Sequence, residues 1–283
     1  MYLVRAEGVA FETRPELRVT LDLLDNYEAC FSRGMYFAQR RLDLRPVTRA
    51  PRVYIDRLQS GSLEAYLTII AAQLTVEAAR YTPQIATLAW ETFKQSFRLV
   101  EFSVGLLDRV GRPPQFDIGD ITIQPHLEIN GDDNVVQVDR YTYDFATQSH
   151  KQLENIASQV QAGKASRVGF SSEEDTDQLF VDDSNKDKFR YTRITQTDPE
   201  PVEVEANIYR MNKETLKGKL EALTGDQPQK IPFTFTQDQV DLCAQAFTAT
   251  WSRLMVYREF QLDALGQTTI SSMHLAQIIE TNR

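Results

Sequence analysis

The sequence predicts an α+β protein whose last third forms a small, closed β-barrel. The deciding observation is the order of segments after Pro201, where three strand-like segments precede one helical segment and two further strand-like segments. This chain order is typical of an OB-type barrel. The preceding part of the chain mixes strand-like and helical periodicities, which predicts an N-terminal mixed α/β domain with a helical hairpin.

The five barrel strands are inferred from alternating apolar and polar residues between turn signals. They are predicted at residues 202–211, 216–223, 230–235, 251–262 and 268–279. A helix is predicted at 238–247, between the third and fourth strands. The Leu265-Gly266 step is expected to join the last two strands as a hairpin.

The first domain begins with an alternating segment, residues 2–11, that predicts a strand. Thr13-Arg14-Pro15 then marks the start of a helix, because a hydroxyl cap followed by proline suits the first turn. Apolar residues three and four positions apart form one face of this helix, which is expected to end near Gly34. They are Leu17, Leu21, Leu24, Tyr27 and Phe31.

A strand is predicted at 52–58, and Ser60-Gly61-Ser62 breaks it before a helical run over residues 63–80. Thr82-Pro83 starts another helix, which carries a stripe of large apolar residues. The short turn between the two helices predicts an antiparallel helical hairpin. The stripe consists of Trp90, Phe93, Phe97, Val100, Val104 and Leu107.

Two alternating segments, 121–129 and 135–143, flank an Asn130-Gly131 step, and this pair predicts a β-hairpin because it tolerates positive φ. A helix at 145–161 follows. Residues 171–187 carry seven acidic residues against Lys186 alone and are interpreted as part of an exposed connection. The predicted division is therefore 1–165 for the α/β domain, 166–200 for the acidic connection and 201–283 for the barrel.

Composition limits the function. The 283 residues are 42% hydrophobic and 25% charged, as in ordinary globular proteins. The formal net charge of -9 argues against a protein that coats nucleic acid through bulk positive charge. Charges scattered through residues 63–107 exclude an ordinary membrane span there, and the amino terminus has no secretory-signal pattern. Cys30 and Cys243 are interpreted as buried free thiols in a reducing compartment, so a cytoplasmic location is expected.

The sequence predicts no catalytic, metal or cofactor residues. His126, His150 and His274 share no ligand spacing, and no motif of zinc enzymes or elbow-type hydrolases occurs. The Ser60-Gly61-Ser62 step is interpreted as a turn and helix cap, with anion binding as the alternative. We therefore expect a protein that is not an enzyme. An active site assembled from distant residues is the alternative.

Six arginines lie close together in the sequence, against only Asp43 and Asp56. Because guanidinium groups suit phosphate and carboxylate partners, they form a candidate site for an anionic ligand, a nucleic-acid backbone or an acidic partner. The alternatives are a solvated loop with scattered ion pairs, or contact with the acidic connection within the chain or across a homo-oligomer. This arginine cluster comprises Arg40, Arg41, Arg45, Arg49, Arg52 and Arg57.

Strand alternation in the barrel separates apolar residues such as Phe233 from basic residues. The second and third strands of OB folds form the usual ligand face, so the basic residues are predicted to line it. Proteins that bind single strands add stacking aromatics to such cations, but the aromatics here have the opposite parity and are expected in the core. The predicted ligand or partner surface consists of Lys217, Lys219, Lys230 and Arg258.

The order of these elements resembles that of a diffuse group of uncharacterised bacterial proteins associated with mobile-element or phage-defence gene neighbourhoods. The resemblance rests on residues 60–63, 121–138 and the C-terminal layout, and it implies neither an activity nor site residues. We expect a non-enzymatic binding and assembly protein, an accessory or sensing component of an antiviral defence system, that recognises a protein partner or itself. A barrel that binds single-stranded nucleic acid is the alternative.

Overall fold

A computed structural model describes residues 2–11, 16–45, 52–59, 62–68, 81–130, 135–172, 175–223 and 228–282. The chain divides into two compact units, one comprising Met1–Thr192 with Ala264–Gly266 and the other comprising Arg193–Asp263 with Gln267–Arg283. Both units contain helices and strands, and the predicted α+β class is confirmed.

The first unit contains two sheets and three long helices in its described residues. The larger sheet is built from β1 (Tyr2–Glu7), β2 (Arg52–Gln59), β3 (Ser62–Thr68), β7 (Arg167–Ser172) and β8 (Asp175–Asp182). The smaller one is built from β4 (Gln115–Gly119), β5 (Leu127–Asn130) and β6 (Val135–Asp139). The helices are α1 (Leu17–Arg41), α2 (Thr82–Val110) and α3 (Arg140–Ser158), with 3-10 turns at Val9–Phe11 and Lys186–Phe189.

The larger sheet has the order β2-β3-β1-β7-β8, and all neighbouring strands are antiparallel. The smaller sheet has the order β4-β6-β5. Its edge strand β4 is parallel to β6, whereas β5 is antiparallel to β6. The predicted hairpin around Asn130 is present, since Asn130 pairs with Val135, but its strands are shorter than predicted. Residues 121–126 lie in a loop, and residues 140–143 belong to the following helix.

The core of the first unit joins all three helices to the larger sheet through aromatic rings. Tyr27 of α1 and Phe93 of α2 both contact Phe170 of β7, with centroids 5.5 and 5.3 Å from its ring. Phe145 of α3 lies 6.3 Å from Phe93. Burying a side chain of this size stabilises the fold by roughly 1.5–3 kcal/mol. The apolar stripe predicted for α2 is buried along its whole length.

An ion pair lies buried where the last turn of α1 meets the smaller sheet. Nη2 of Arg41 is 2.6 Å from Oδ1 of Asp139, and the two side chains are 0% and 1% exposed. Arg41 also donates to the carbonyl of Thr122 at 2.6 Å and to the hydroxyl of Thr142 at 3.0 Å. Burial lowers the pKa of the Arg41 guanidinium, and the neighbouring Asp139 carboxylate opposes that shift. The pair therefore ties α1 to a loop and to the start of α3.

Asp139 is satisfied on both carboxylate oxygens. As the residue that caps α3, it accepts hydrogen bonds from the backbone N–H groups of Tyr141 and Thr142 at 3.1 and 3.2 Å. It also accepts from the backbone N–H of His126 at 2.8 Å and from the Thr142 hydroxyl at 2.6 Å. A carboxylate suits this position because the helix N-terminus carries partial positive charge and unpaired N–H groups.

The second unit is a closed barrel with one helix. Its strands are β9 (Arg193–Thr197), β10 (Val202–Asn212), β11 (Lys217–Leu223), β12 (Pro228–Thr234), β13 (Trp251–Asp263) and β14 (Thr268–Asn282). The helix is α4 (Val240–Phe247), preceded by a 3-10 turn at Gln237–Gln239. All five predicted barrel strands and the intervening helix are present, each within two residues of its predicted start and three of its predicted end.

The strand order β10-β11-β12-β14-β13 closes on itself because β13 also pairs with β10. The third and fifth barrel strands, β12 and β14, are parallel, whereas the other barrel neighbours are antiparallel. This arrangement confirms the predicted OB-like barrel. Leu220, Ile231, Phe233, Leu254 and Met273 fill its interior, and each is at most 2% exposed. The sixth strand, β9, which the sequence did not reveal, extends the sheet beside β13.

The predicted helix at 63–80 was wrong over its first residues, because Ser62–Thr68 forms β3. This strand lies between β1 and β2, and Leu63 pairs with Ala6 on one side and Leu58 on the other. A short apolar run in a central strand cannot be told from a buried helix by periodicity alone. Residues 69–80 lie outside the described residues.

Two further differences concern length and boundaries. Helix α1 continues to Arg41 instead of ending near Gly34, where a Cβ would lie 3.1 Å from the Ala89 carbonyl. The glycine therefore permits α1 and α2 to approach closely and does not end the helix. Residues 166–192, predicted to begin a connection, belong to the first unit, where β7 and β8 form a hairpin of its larger sheet.

The buried ion pair predicts a large effect on stability. Asp139→Ala is expected to lower the free energy of unfolding by about 3–5 kcal/mol, because it leaves the Arg41 charge buried without its partner. Chemical denaturation measures this change. The control Asp25→Ala removes an exposed carboxylate on α1 and should alter stability by less than about 0.5 kcal/mol. A loss below about 1 kcal/mol for Asp139→Ala would contradict the interpretation.

Candidate functional site

The candidate functional site is a row of cations on the outer surface of the barrel. Arg210 of β10 is directly opposite Lys219 of β11, and Lys217 lies two residues from Lys219 on the same side of the strand. Lys230 of β12 is opposite Glu221, which shares that side. Side chains of directly opposed residues project to the same face of a sheet. We call Arg210, Lys217, Lys219 and Lys230 the lysine face; all four are exposed.

These four cations have no ion-pair partner in the part of the chain that the structure describes. Two other arginines of the barrel unit, Arg253 and Arg258, are neutralised by contrast. Arg253 pairs with Glu203, and its Nη1 lies 3.7 Å from Glu280. The lysine face therefore concentrates unneutralised positive charge on a chain whose formal net charge is -9.

Tyr209 is an exposed aromatic residue on the lysine face that sequence reasoning missed. A bulge in β10 between Ile208 and Arg210 adds one residue to the strand, so Tyr209 and Arg210 both face outward. Strict alternation would have turned Arg210 inward with Ile208. Tyr209 is 41% exposed, and Nζ of Lys230 lies 5.8 Å from the centre of its ring.

Arg258, predicted to line the same surface, lies elsewhere. Tyr257 of β13 is opposite His274 of β14, which is opposite Thr234 of β12, so this outer row continues from Lys217. Arg258 follows Tyr257 and therefore faces the other side of the strand.

An ion pair with a neighbouring loop holds Arg258 in that position. Its Nε donates to Asp198 Oδ2 at 2.8 Å. This hydrogen bond lowers the pKa of the Asp198 carboxyl below its ordinary value. The guanidinium carbon also lies 4.9 Å from the centre of the Phe260 ring. The Arg258 charge is thus already paired with a carboxylate of the same unit.

His274 joins a hydroxyl and a carboxylate at the border of the lysine face. Its Nδ1 is 2.6 Å from Oγ1 of Thr234, and its Nε2 is 3.7 Å from Oε2 of Glu259. This order of groups corresponds to the alternative of an assembled active site. The His274 side chain is 43% exposed on an open strand surface, where water has free access. Such surroundings favour hydrogen bonding over activation of a nucleophile.

The loops beside the ligand face differ in exposure. OB-type barrels flank this face with the loop between strands one and two and the loop between strands four and five. The first of these, residues 213–216, is largely exposed. In the second, Ala264 and Leu265 are buried and belong to the first unit, where the Leu265 carbonyl accepts a hydrogen bond from Tyr143 at 2.6 Å. The first loop is therefore the more exposed of the two.

The arginine cluster does not form one surface in the described residues. Arg41 is buried in the ion pair with Asp139, whereas Arg40 and Arg45 are exposed. A hydrogen bond with Tyr141 raises the pKa of Arg40. Arg49 lies outside the described residues. Arg52 and Arg57 belong to β2, but their side chains are not described.

The predicted acidic connection makes ion pairs with basic residues from outside the arginine cluster. Arg98 lies 3.2 Å from Asp177, and Lys186 and Arg190 pair with Asp183 and Asp187 at 2.5 and 2.7 Å. All three pairs are largely exposed, so each contributes little to stability.

The Ser60-Gly61-Ser62 step joins two strands and not a strand to a helix. Gln59 of β2 pairs with Ser62 of β3, and residues 60–61 lie outside the described residues. The anion-binding alternative needed a helix N-terminus after the glycine, because its N–H groups would bind the anion. Because Ser62 begins a strand, no helix N-terminus follows the glycine, and the anion-binding alternative loses its support.

Within the described ranges, the thiols and the potential metal ligands form no second site. Cys30 and Cys243 are free and buried, and burial raises the pKa of their thiols to about 12 and about 11. Among the described residues, no group of three or more His, Cys, Asp or Glu side chains is placed to hold a metal ion. No helix in the described ranges is both long and apolar enough to span a membrane.

No protein-family model, curated protein or solved structure matches this chain. The candidate site therefore rests on the geometry of the barrel.

Gly218 lies between the two lysines of β11, where the Phe233 ring and the Arg210 carbonyl leave no room for a side chain. A Cβ at this position would lie 2.3 Å from the Phe233 ring and 2.5 Å from the Arg210 carbonyl oxygen. Gly218→Ala is expected to destabilise the barrel by about 1–3 kcal/mol, because the ring or the neighbouring strand must move. Thermal unfolding measures this loss. Gly119→Ala is the matched control, because its Cβ would meet nothing within 4 Å; equal stability of both variants would contradict the prediction.

Proposed function

We propose that this protein is a non-enzymatic binding and assembly protein that recognises the acidic surface of a protein partner through the lysine face. One observation carries the proposal: four exposed cations without ion-pair partners in the described residues lie side by side on strands β10 to β12. In OB-type barrels, the second and third strands, here β11 and β12, provide the usual ligand surface.

The charge pattern supports an acidic partner. Neighbouring positive charges repel one another, and this repulsion is relieved when carboxylates of a partner come within a few ångströms. Such complementary charge mainly raises the association rate and the specificity of a complex. The exposed ring of Tyr209 and the exposed Pro232, which is opposite Lys219, add apolar area in the middle of the cations. A surface of this composition suits a folded protein partner.

The proposed setting is the bacterial cytoplasm, where the protein acts as an accessory or sensing component of an antiviral defence system. The two free cysteines support a reducing compartment, because secreted domains commonly pair their cysteines. The defence role is supported by the order of elements described above, chiefly the C-terminal barrel.

Binding of single-stranded nucleic acid is the second candidate function, and Tyr209 favours it. An aromatic ring beside cations on an OB surface is the arrangement that stacks a base while contacting its phosphates. The single exposed ring weakens this candidate, because proteins that bind single strands stack successive bases on several aromatic side chains.

Fluorescence anisotropy with two labelled probes, poly-L-glutamate and a single-stranded oligothymidine, tests both candidates. Wild type is expected to bind poly-L-glutamate more tightly than the oligonucleotide. Lys217→Glu combined with Lys219→Glu should weaken poly-L-glutamate binding at least about tenfold, because it places carboxylates where the cations were. High salt should abolish the remaining binding, since exposed charges are screened.

The control variant combines Arg18→Glu and Arg112→Glu, which change the net charge equally at exposed positions of the first unit. It should bind poly-L-glutamate far more tightly than the lysine-face variant. Equal losses in the two variants would show that only net charge matters and would contradict the proposal. Preferential binding of the oligonucleotide, lost in the lysine-face variant, would favour the second candidate.

A further inference from the structure

The loop between β4 and β5 displays two isoleucines to solvent. Ile121 is 50% exposed and Ile123 is 61% exposed. The residue between them is fixed to the protein, because the Thr122 carbonyl accepts a hydrogen bond from Arg41 at 2.6 Å. The Thr122 hydroxyl also donates to the Gln124 carbonyl.

The second half of this loop is fixed as well, since the His126 N–H donates to Asp139 at 2.8 Å. Both halves of the loop are therefore hydrogen-bonded to the same buried ion pair. This fixed backbone keeps the two isoleucine side chains exposed to solvent. β-branched side chains have few rotamers, and little conformational entropy is lost when a partner covers them. Exposed apolar residues bordered by polar ones are typical of protein contact sites.

Exposed acidic residues lie within a few positions of the two isoleucines in the sequence. Asp117 of β4 and Glu128 of β5 lie on one face of the smaller sheet, because both are directly opposite Gln137 of β6. Asp120 precedes the isoleucines, and all three carboxylates are exposed. We call Asp117, Asp120, Ile121, Ile123 and Glu128 the acidic loop surface.

The lysine face has the complementary composition. Its four cations border the exposed Tyr209 and Pro232, so positive charge there surrounds an apolar centre. The acidic loop surface combines exposed carboxylates with two exposed isoleucines from the same loop and its flanking strands. The two surfaces are therefore opposite in charge, and each also contains exposed apolar side chains.

We propose that the acidic loop surface of one copy binds the lysine face of a second copy. This inference rests on the proposed function, because it names the partner of the lysine face. Opposite charges would steer the encounter, and burial of the isoleucines against Tyr209 and Pro232 would hold the contact. The two surfaces differ, so the contact is heterologous, and copies join head to tail into a closed ring or an open chain.

Sedimentation velocity of the full chain tests this assembly. Between about 1 and about 100 μM, species larger than the monomer should appear, grow with concentration and dissociate in high salt. Lys217→Glu with Lys219→Glu disables the lysine face, and Ile121→Ser with Ile123→Ser disables the loop. Each variant alone should raise the dissociation constant for self-association at least about tenfold.

Mixing the two variants provides the sharper measurement. Each then contributes one intact surface, so an equimolar mixture should form a one-to-one dimer that does not grow further. The control Leu17→Ser with Leu21→Ser removes two exposed leucines of α1 and should associate like wild type. A mixture that stays monomeric, or a control that is equally impaired, would overturn the inference.

The poly-L-glutamate assay separates the two proposals. If wild type is monomeric at all concentrations but its lysine face binds poly-L-glutamate, the proposed function stands and self-assembly is refuted. If the lysine-face variant both associates and binds poly-L-glutamate like wild type, both proposals are refuted. Association of wild type that only the loop variant reduces would also overturn the inference, because the loop would then bind another surface.

Discussion

The buried ion pair between Arg41 and Asp139 is the interaction on which the first unit depends. Removing two charges from water costs several kcal/mol per ion, so such a pair is tolerated only when hydrogen bonds satisfy it well. Here the same carboxylate caps α3 and holds the backbone of His126, while the guanidinium holds the carbonyl of Thr122. One electrostatic contact thereby sets the end of α1, the start of α3 and the course of the β4–β5 loop. It also explains how Ile121 and Ile123 are kept in solvent.

In the barrel, strand alternation and one bulge position the exposed side chains of the lysine face. Strand alternation turns Phe233 inward and Lys219 outward, and Gly218 leaves room for the Phe233 ring between the two lysines of β11. The bulge at Tyr209 then adds one aromatic ring and the charge of Arg210 to the same surface. Fixed strands, instead of mobile loops, hold the cations. They are thus positioned for a complementary acidic surface before any partner arrives, which reduces the entropy lost on binding.

The barrel was predictable because each of its strands has one face in the core and one in water, so the alternation is visible in the sequence. The strand at Leu63 was not predictable, because it is paired on both sides and its apolar residues show no clear alternation. Strand alternation correctly predicted that Lys217 and Lys219 face outward. It could not predict the same for Arg210, because a bulge in β10 reverses the alternation there. The burial of Arg41 could not be predicted, because it belongs to a cluster of arginines in the sequence and its partner Asp139 is distant in the chain. Charge clusters in sequence do not reveal which member will be buried.

Amide hydrogen exchange at His126 and Thr142 tests most directly whether this ion pair organises the first unit. Both N–H groups donate to Asp139, so they should exchange only when the whole unit unfolds, with protection equal to that of core amides in α2 such as that of Phe93. Equal protection would support the pair as the common anchor of loop and helix. Exchange at His126 and Thr142 through local opening, orders of magnitude faster than at Phe93, would contradict it.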